Sequence, residues 1–212
     1  LDFPLEAETS INSQFGFRSN VFRGIEFEVA GFYNILQDTL IEEDFTDEFG
    51  DVIFINAADS KSLGVDVDFQ FNSRAYLASP YNLYLWVAYN FTQAKFTEGP
   101  LDGNRVPEIP LHDGSFTLGL EHSTGWDFSI TASHFGHFFA DRRNTQELGE
   151  DQGRVPSRTL ISARASYPIP GQPVTLYVQG RNLTDKLFVS DVNDGLRPGP
   201  ERTIIGGVNL TF

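Results

Sequence analysis

The stretch GVDVDFQFN, Gly64 to Asn72, constrains the fold of this chain more than any other. Val65, Val67, Phe69 and Phe71 project one way, and Asp66, Asp68, Gln70 and Asn72 the other. Wound as a helix, the segment would scatter its apolar side chains around the circumference, whereas an extended strand gathers them on one face. The same period of two recurs along the chain. It is found in INSQFGFR (Ile11, Phe15, Phe17), GIEFEVAGFY (Ile25, Phe27, Val29, Tyr33) and NLYLWVAYNF (Leu83, Leu85, Val87, Tyr89, Phe91). It continues through SFTLGLE, WDFSITASH, RTLISARASY and PVTLYVQGR to a final strand, RTIIGGVNLTF, that alternates up to Phe212. The chain is therefore expected to be all-β, with about nine strands.

The connections between these strands alternate in length. Short ones fall near 19–24, 74–81, 121–125 and 168–173, and long ones near 35–59, 96–110, 139–156 and 183–201. Antiparallel strands with short turns at one end and long loops at the other are the pattern of an outer-membrane β-barrel, with periplasmic turns and extracellular loops. Charge follows the same division. Arg18, Glu26, Glu28, Asp66, Asp68, Asp127, Arg164 and Arg181 all lie on the polar faces. The apolar faces stay uncharged across most strands, as the cost of a lipid-facing cation requires. Tyr76, Tyr81, Trp126, Tyr167 and Phe212 gather at the short-turn ends, where an interfacial aromatic girdle is expected.

Composition narrows the class further. Cysteine is absent, which excludes disulfides, thiolate metal sites and a cysteine nucleophile. A net charge of −14 argues against nucleic acid as a partner. No run of about 18 apolar residues is available for a transmembrane helix, a test that β-barrels escape. Methionine is absent as well, so the chain is expected to be processed or excised from something longer.

The last third resembles the closing strands of TonB-dependent outer-membrane receptors. Asn182-Leu183-Thr184-Asp185-Lys186 is similar to the family's step before the last extracellular loop, and Pro198-Gly199-Pro200-Glu201-Arg202 to its entry into the final strand. Arg105-Val106-Pro107-Glu108-Ile109-Pro110 resembles the segment that follows an extracellular loop. Leu5-Glu6-Ala7-Glu8-Thr9-Ser10 resembles another family segment, with Ala7 where proline is usual, and Phe212 matches the C-terminal aromatic read by the assembly machinery. The spacing looks most like ferric-citrate and other ferric-siderophore receptors. The resemblance implies that residues 1–212 are the C-terminal part of a transmembrane barrel, about nine strands of a 22-stranded one, lacking its plug and first strands. It also implies a location in the outer membrane of a Gram-negative bacterium and uptake of a scarce ligand, most simply a ferric chelate. The implied partners are outer-membrane lipid, the receptor's own plug and N-terminal strands, and TonB acting through the plug. No catalysis is implied.

Candidate sites lie in the long connections. Arg142, Arg143, Arg154 and Arg158 would suit an anionic ferric chelate, because guanidinium pairs bidentately with carboxylate. Glu42, Glu43, Asp44, Asp47, Glu48 and Asp51 form an oxygen-only set suited to loop calcium, although their spacing matches no EF-hand; no other cofactor is expected. Arg197 and Arg202 are expected to pair with Asp191, Asp194 or Glu201. His134 and His137, three residues apart on a strand, would face opposite sides rather than share a metal. Two other architectures fit the alternation: a small autonomous outer-membrane barrel acting as an enzyme or adhesin, and a soluble β-sandwich binding carbohydrate. The first would pair its first strand, near Ile11, with its last. The second would bury Val65, Val67, Phe69 and Phe71 against a second sheet.

Overall fold

The computed structural model describes residues 5–46, 52–150, 152–192 and 195–211. Nine strands form one antiparallel sheet: β1 (Thr9–Ser19), β2 (Ile25–Thr46), β3 (Val52–Asn72), β4 (Tyr81–Phe96), β5 (His112–His122), β6 (Asp127–Phe135), β9 (Arg158–Pro168), β10 (Val174–Arg181) and β13 (Thr203–Leu210). Each strand pairs with the next of these along the chain, so the sheet is an uninterrupted meander. Two small hairpins stand outside it, β7 (Phe138–Phe139) with β8 (Arg154–Val155), and β11 (Val189–Asp191) with β12 (Arg197–Pro198). Among the described residues no helix is long and apolar enough to cross a membrane, which says nothing of a β-barrel.

Register carries the alternation seen within each strand across the whole sheet. One row on the apolar face runs Phe27, Phe69, Val87, Phe116, Ala132, Ile161. A row on the opposite face runs Arg18, Glu28, Asp68, Ala88, Ser115, Ser133. A slip of one residue at any pairing would mix the two surfaces. No second layer covers the apolar face among the described residues: Phe15 is 85% exposed and Leu176 44%, and the buried apolar residues are six, four of them in or beside the long connections. Val65 is exposed, and Val67, Phe69 and Phe71 meet only their neighbours in the same layer, so the sandwich reading does not hold. Among the described residues β1 pairs only with β2, and β13 only with β10, so the sheet does not close on itself there as an autonomous barrel would.

From β3 onward, short turns and long connections alternate as the sequence predicts. Gly24, at φ +68°, closes the first turn, where an added Cβ would strike the Asn72 carbonyl and the Ala75 side chain. Asn72 accepts the Arg74 amide at 3.0 Å and caps the one-turn 3-10 helix (Ser73–Ala75) that leads into β4. On the polar face, rings lie over cross-strand glycines: Phe32 over Gly64, Tyr84 over Gly119 and Tyr177 over Gly207. Each such pair covers exposed backbone and fixes register.

The main departure from expectation is at 35–59, read from the sequence as a loop. Here β2 and β3 run on as a hairpin as far as Thr46 and Val52. The register shifts around Thr39, Asp38 stands at φ +57°, and Asn56 Nδ2 donates to the Asp38 carbonyl at 2.6 Å. A register irregularity of this kind interrupts the period of two by which a strand is read from sequence. Glu42, Glu43 and Asp44 thus belong to a strand rather than a loop. Asp47, Glu48, Asp51 and the terminal Phe212 lie outside the described residues.

Candidate functional site

The polar face is a wall of short hydrogen bonds between strands. Asn90 donates to Asp66 at 2.6 Å, Thr117 and Thr131 share a bond of 2.8 Å, Tyr84 donates to Asp127 at 2.7 Å, and Arg18 pairs with Glu28. At the short-turn end this wall holds an open cavity of about 700 Å³, lined among others by Arg23, Glu26, Gln70, Asn82 and Trp86. Asn82 is 2% exposed there, bonded to Ser73, the Arg74 amide and Glu121.

At the opposite end the long connections interlock. Asn144 accepts the Arg105 amide at 2.7 Å and donates to the Arg105 carbonyl at 2.9 Å, and Asn104 donates to the Arg142 carbonyl at 3.1 Å. The Glu108 amide donates to the Phe139 carbonyl at 2.9 Å. Arg105 lies over the Phe139 ring and bonds the Ile109 carbonyl at 2.8 Å and His137 Nε2 at 3.2 Å. The segment Arg105–Pro110 is thereby fastened to the β6–β9 connection. Asp141 is the hub of that connection: its carboxylate accepts the amides of Arg143 (2.9 Å), Thr145 (3.2 Å) and Gly153 (2.8 Å) and the Thr145 hydroxyl (3.1 Å). Burial opposes its ionisation, but the donors from Gly153, Thr145 and Arg143 prevail and hold the carboxyl below the usual carboxylate range. Burial lowers the His137 pKa, and the charges of Arg154, Arg105 and His112 lower it further. Burial and Arg154 likewise lower that of Arg105. Arg105, Arg154 and His137 thus make one basic cluster.

The four candidate arginines divide in two. Arg143 and Arg154 are exposed and Arg142 is half-buried, all on the platform that Asp141 organises. Arg158 stands apart, at the start of β9, its guanidinium between the rings of Phe135 (4.6 Å) and Phe188 (5.0 Å) and bonded to the Val189 carbonyl at 2.7 Å. It ties the last connection to the sheet. His134 and His137 do not converge: His134 bonds Thr159 at 2.9 Å, and His137 meets Arg105. Among the described residues no group of three or more metal-ligating side chains occurs.

The motif at 182–186 ties the exit of β10 to the entry of β13. Asn182, 4% exposed and at φ +47°, donates to the Lys186 carbonyl at 2.9 Å and the Pro200 carbonyl at 3.0 Å, and accepts the Lys186 amide at 2.9 Å. Asp185 accepts the Arg202 amide at 2.8 Å and faces its guanidinium at 3.7 Å. Arg202 therefore pairs with Asp185 rather than with the acids expected, while Arg197 meets Asp191 at 3.7 Å as anticipated. Sequence reading missed Asp141, Asn144 and Asn182 as organisers. For Asn182 the recurrence of its motif in the family was the available signal; for Asp141 a turn-forming acid between aromatic and arginine pairs was the faint one.

A single-layer sheet with one apolar outer face, one hydrogen-bonded polar face and long connections at one end is the wall of a transmembrane β-barrel. Residues 2–183 match the family described as TonB dependent receptor-like, beta-barrel, and the chain belongs to that family. Barrels of this family lie in the outer membrane of Gram-negative bacteria, and this chain forms part of such a barrel. Solved structures share the fold at low identity. The ferric citrate transporter FecA, unliganded, superposes with a TM-score of 0.73 at 21% identity, over 94% of this chain and 31% of that one. The copper transporter OprC gives 0.73 at 16%, over 99% and 32%. The ferric yersiniabactin uptake receptor FyuA from Yersinia pestis gives 0.71 at 16%, over 95% and 29%. The chain thus spans about a third of the length of these proteins.

Proposed function

We propose that this chain forms the ligand-facing wall and outer loops of a receptor that imports a ferric chelate carrying carboxylate or similar anionic groups. The observation that carries the proposal is the interlocked platform that exposes Arg143 and, near Arg105 and His137, Arg154, while the Asp141 carboxylate accepts backbone donors. Arg105 and Arg154 with His137 gather cationic groups within a chain of net charge −14. Two exposed guanidiniums on a braced loop can take an anionic chelate bidentately with little further ordering. Arg142 adds charge to the same platform, and Arg158 positions the neighbouring connection. The polar wall and its cavity at the short-turn end are the surface against which a plug would seat, and TonB would act through that plug. The acidic segment containing Glu42, Glu43, Asp44, Asp47, Glu48 and Asp51 is proposed to take calcium, tested by a calcium-dependent shift in thermal stability.

Titration of the full-length receptor with ferric citrate and a panel of ferric siderophores tests the ligand. Tight binding of at least one chelate, weakened tenfold or more by R143A/R154A, supports the proposal. The copper transporter among the structural neighbours supplies the rival: binding of copper salts, but of no ferric chelate, would replace it.

A further inference from the structure

The chain has three lysines, and two of them, Lys61 on β3 and Lys95 on β4, stand directly opposite each other in register. They share the parity of Leu63, Val65 and Phe91, so they belong to the outer face, not the polar wall. Among the described residues neither has an ion pair, and the bridge from Lys95 leads to another cation, Arg105. Asp59, next outward on β3, has its carboxylate engaged by the Asp38 amide at 3.0 Å. Like charges directly opposite destabilise a sheet, so this pair opposes folding unless an anion lies across it.

Height identifies the anion. On β4 the outer face runs Tyr81, Leu83, Leu85, Val87, Tyr89, Phe91, Gln93, Lys95, and Tyr81 belongs to a cluster with His122 and Trp126 at the short-turn end. A second aromatic group, Tyr89 and Phe91 with His112, lies 8–10 residues further along, the span of a tilted transmembrane strand at about 9–11 residues. Lys61 and Lys95 come just beyond it, at the headgroup level of the outer leaflet.

Directly below is an apolar groove of about 640 Å³ on the same face, lined by Phe15, Phe17, Val29, Tyr33, Leu63 and Val65. Its floor is Gly31, opposite Phe15 on one side and Val65 on the other. Nothing in the backbone demands glycine there: an added Cβ would meet only carbonyl oxygens at 3.9 and 4.0 Å, whereas at Gly64 or Gly119 it would strike an aromatic ring. The missing side chain leaves a notch. It lies four residues along β3 from Lys61, roughly 13 Å at 3.3 Å per residue.

We propose that this face binds one phosphorylated glycolipid of the outer leaflet, its phosphate bridging Lys61 and Lys95 and one acyl chain lying in the groove over Gly31. Paired amines beside an acyl-sized groove match a phosphate joined to a hydrocarbon chain, and a free phosphate would leave the groove unused. The inference rests on the lipid-facing assignment of the sheet and is independent of the ligand imported.

Native mass spectrometry of the full-length receptor in detergent micelles, with bisphosphorylated lipid A as probe, provides the test. One retained lipid A is expected, with affinity at least tenfold lower in K61Q/K95Q, restored in K61R/K95R, and at least threefold lower in G31L. Dephosphorylated lipid A should bind wild type and K61Q/K95Q equally weakly, and inorganic pyrophosphate should not displace lipid A. Unaltered heat-modifiable migration confirms that each variant is folded. Equal retention of lipid A by wild type and K61Q/K95Q would overturn the site, and displacement by pyrophosphate or an unaffected G31L would overturn its acyl half.

Discussion

Val87 and Ala88 are neighbours on β4 that face opposite ways, and an arginine at each separates hydrocarbon from water. Val87 stands between Phe69 and Phe116, six residues from Tyr81 and four from Phe91, inside the span that the aromatic groups of its strand bound. Arginine there loses cross-strand packing of about 0.2–1 kcal/mol. It also places a cation at the bilayer midplane, at about 2–4 kcal/mol. The sum, about 2–5 kcal/mol, lowers the folded-to-unfolded ratio by a factor on the order of 30 to 5000. Ala88 is exposed on the polar wall with Asp68 opposite, so Ala88→Arg should stay within about 0.5 kcal/mol of wild type. Tyr89→Arg shares the apolar face but lies near the interface, where the charge costs about 0–1 kcal/mol. The assay is guanidinium unfolding of the full-length receptor from phospholipid vesicles, followed by tryptophan fluorescence. The reasoning fails if Val87→Arg is no worse than Ala88→Arg. It also fails if the loss at Tyr89 equals that at Val87, since a dry core has no depth dependence.

Three further outcomes follow from the loops. Asn182→Ala leaves the Pro200 carbonyl and both backbone groups of Lys186 without that partner, at a cost of about 1–3 kcal/mol, seen as faster limited proteolysis of residues 182–202 in the receptor. His137 has a folded pKa depressed below the ordinary histidine value of 6.5, so its stabilisation of the loop platform is present above 6.5 and is lost as pH falls through the lower folded value. Exchange protection of the Glu108 amide should accordingly fall as pH drops below 6.5, and fall less in His137→Gln. The depressed pKa of Asp141 acts the same way at lower pH, its contribution being intact above 3.8 and lost below it; Asp141→Asn should loosen the Gly153 amide already at neutral pH.

The sheet was readable because period-two patterns need only local information. Gly64–Asn72 identifies the heart of β3, and the alternation of short and long connections orders the nine strands. The extension of β2 and β3 was hidden because the register irregularity near Asp38 interrupts the alternation, and charge in the following segment imitates a loop. The platform was less legible for another reason. Arg158 reads as one more loop arginine until Phe135 and Phe188, 23 and 30 residues away, are placed on either side of it. The Asp141 hub needs Gly153 folded back at φ +107°, and the partner of Arg202 is fixed by the turn at Asp185, itself at φ +53°. Such contacts depend on tertiary geometry, which neither spacing nor composition encodes.

The central claim, that the apolar face borders hydrocarbon, is tested most directly by spin labels on single cysteines, which this chain lacks natively. Nitroxides at Phe69, Leu85 and Leu176 of the full-length receptor in vesicles should collide readily with oxygen dissolved in lipid and little with aqueous nickel chelate, with a period of two along 65–72. Labels at those three positions shielded from both reagents would show a dry protein interior and contradict the account.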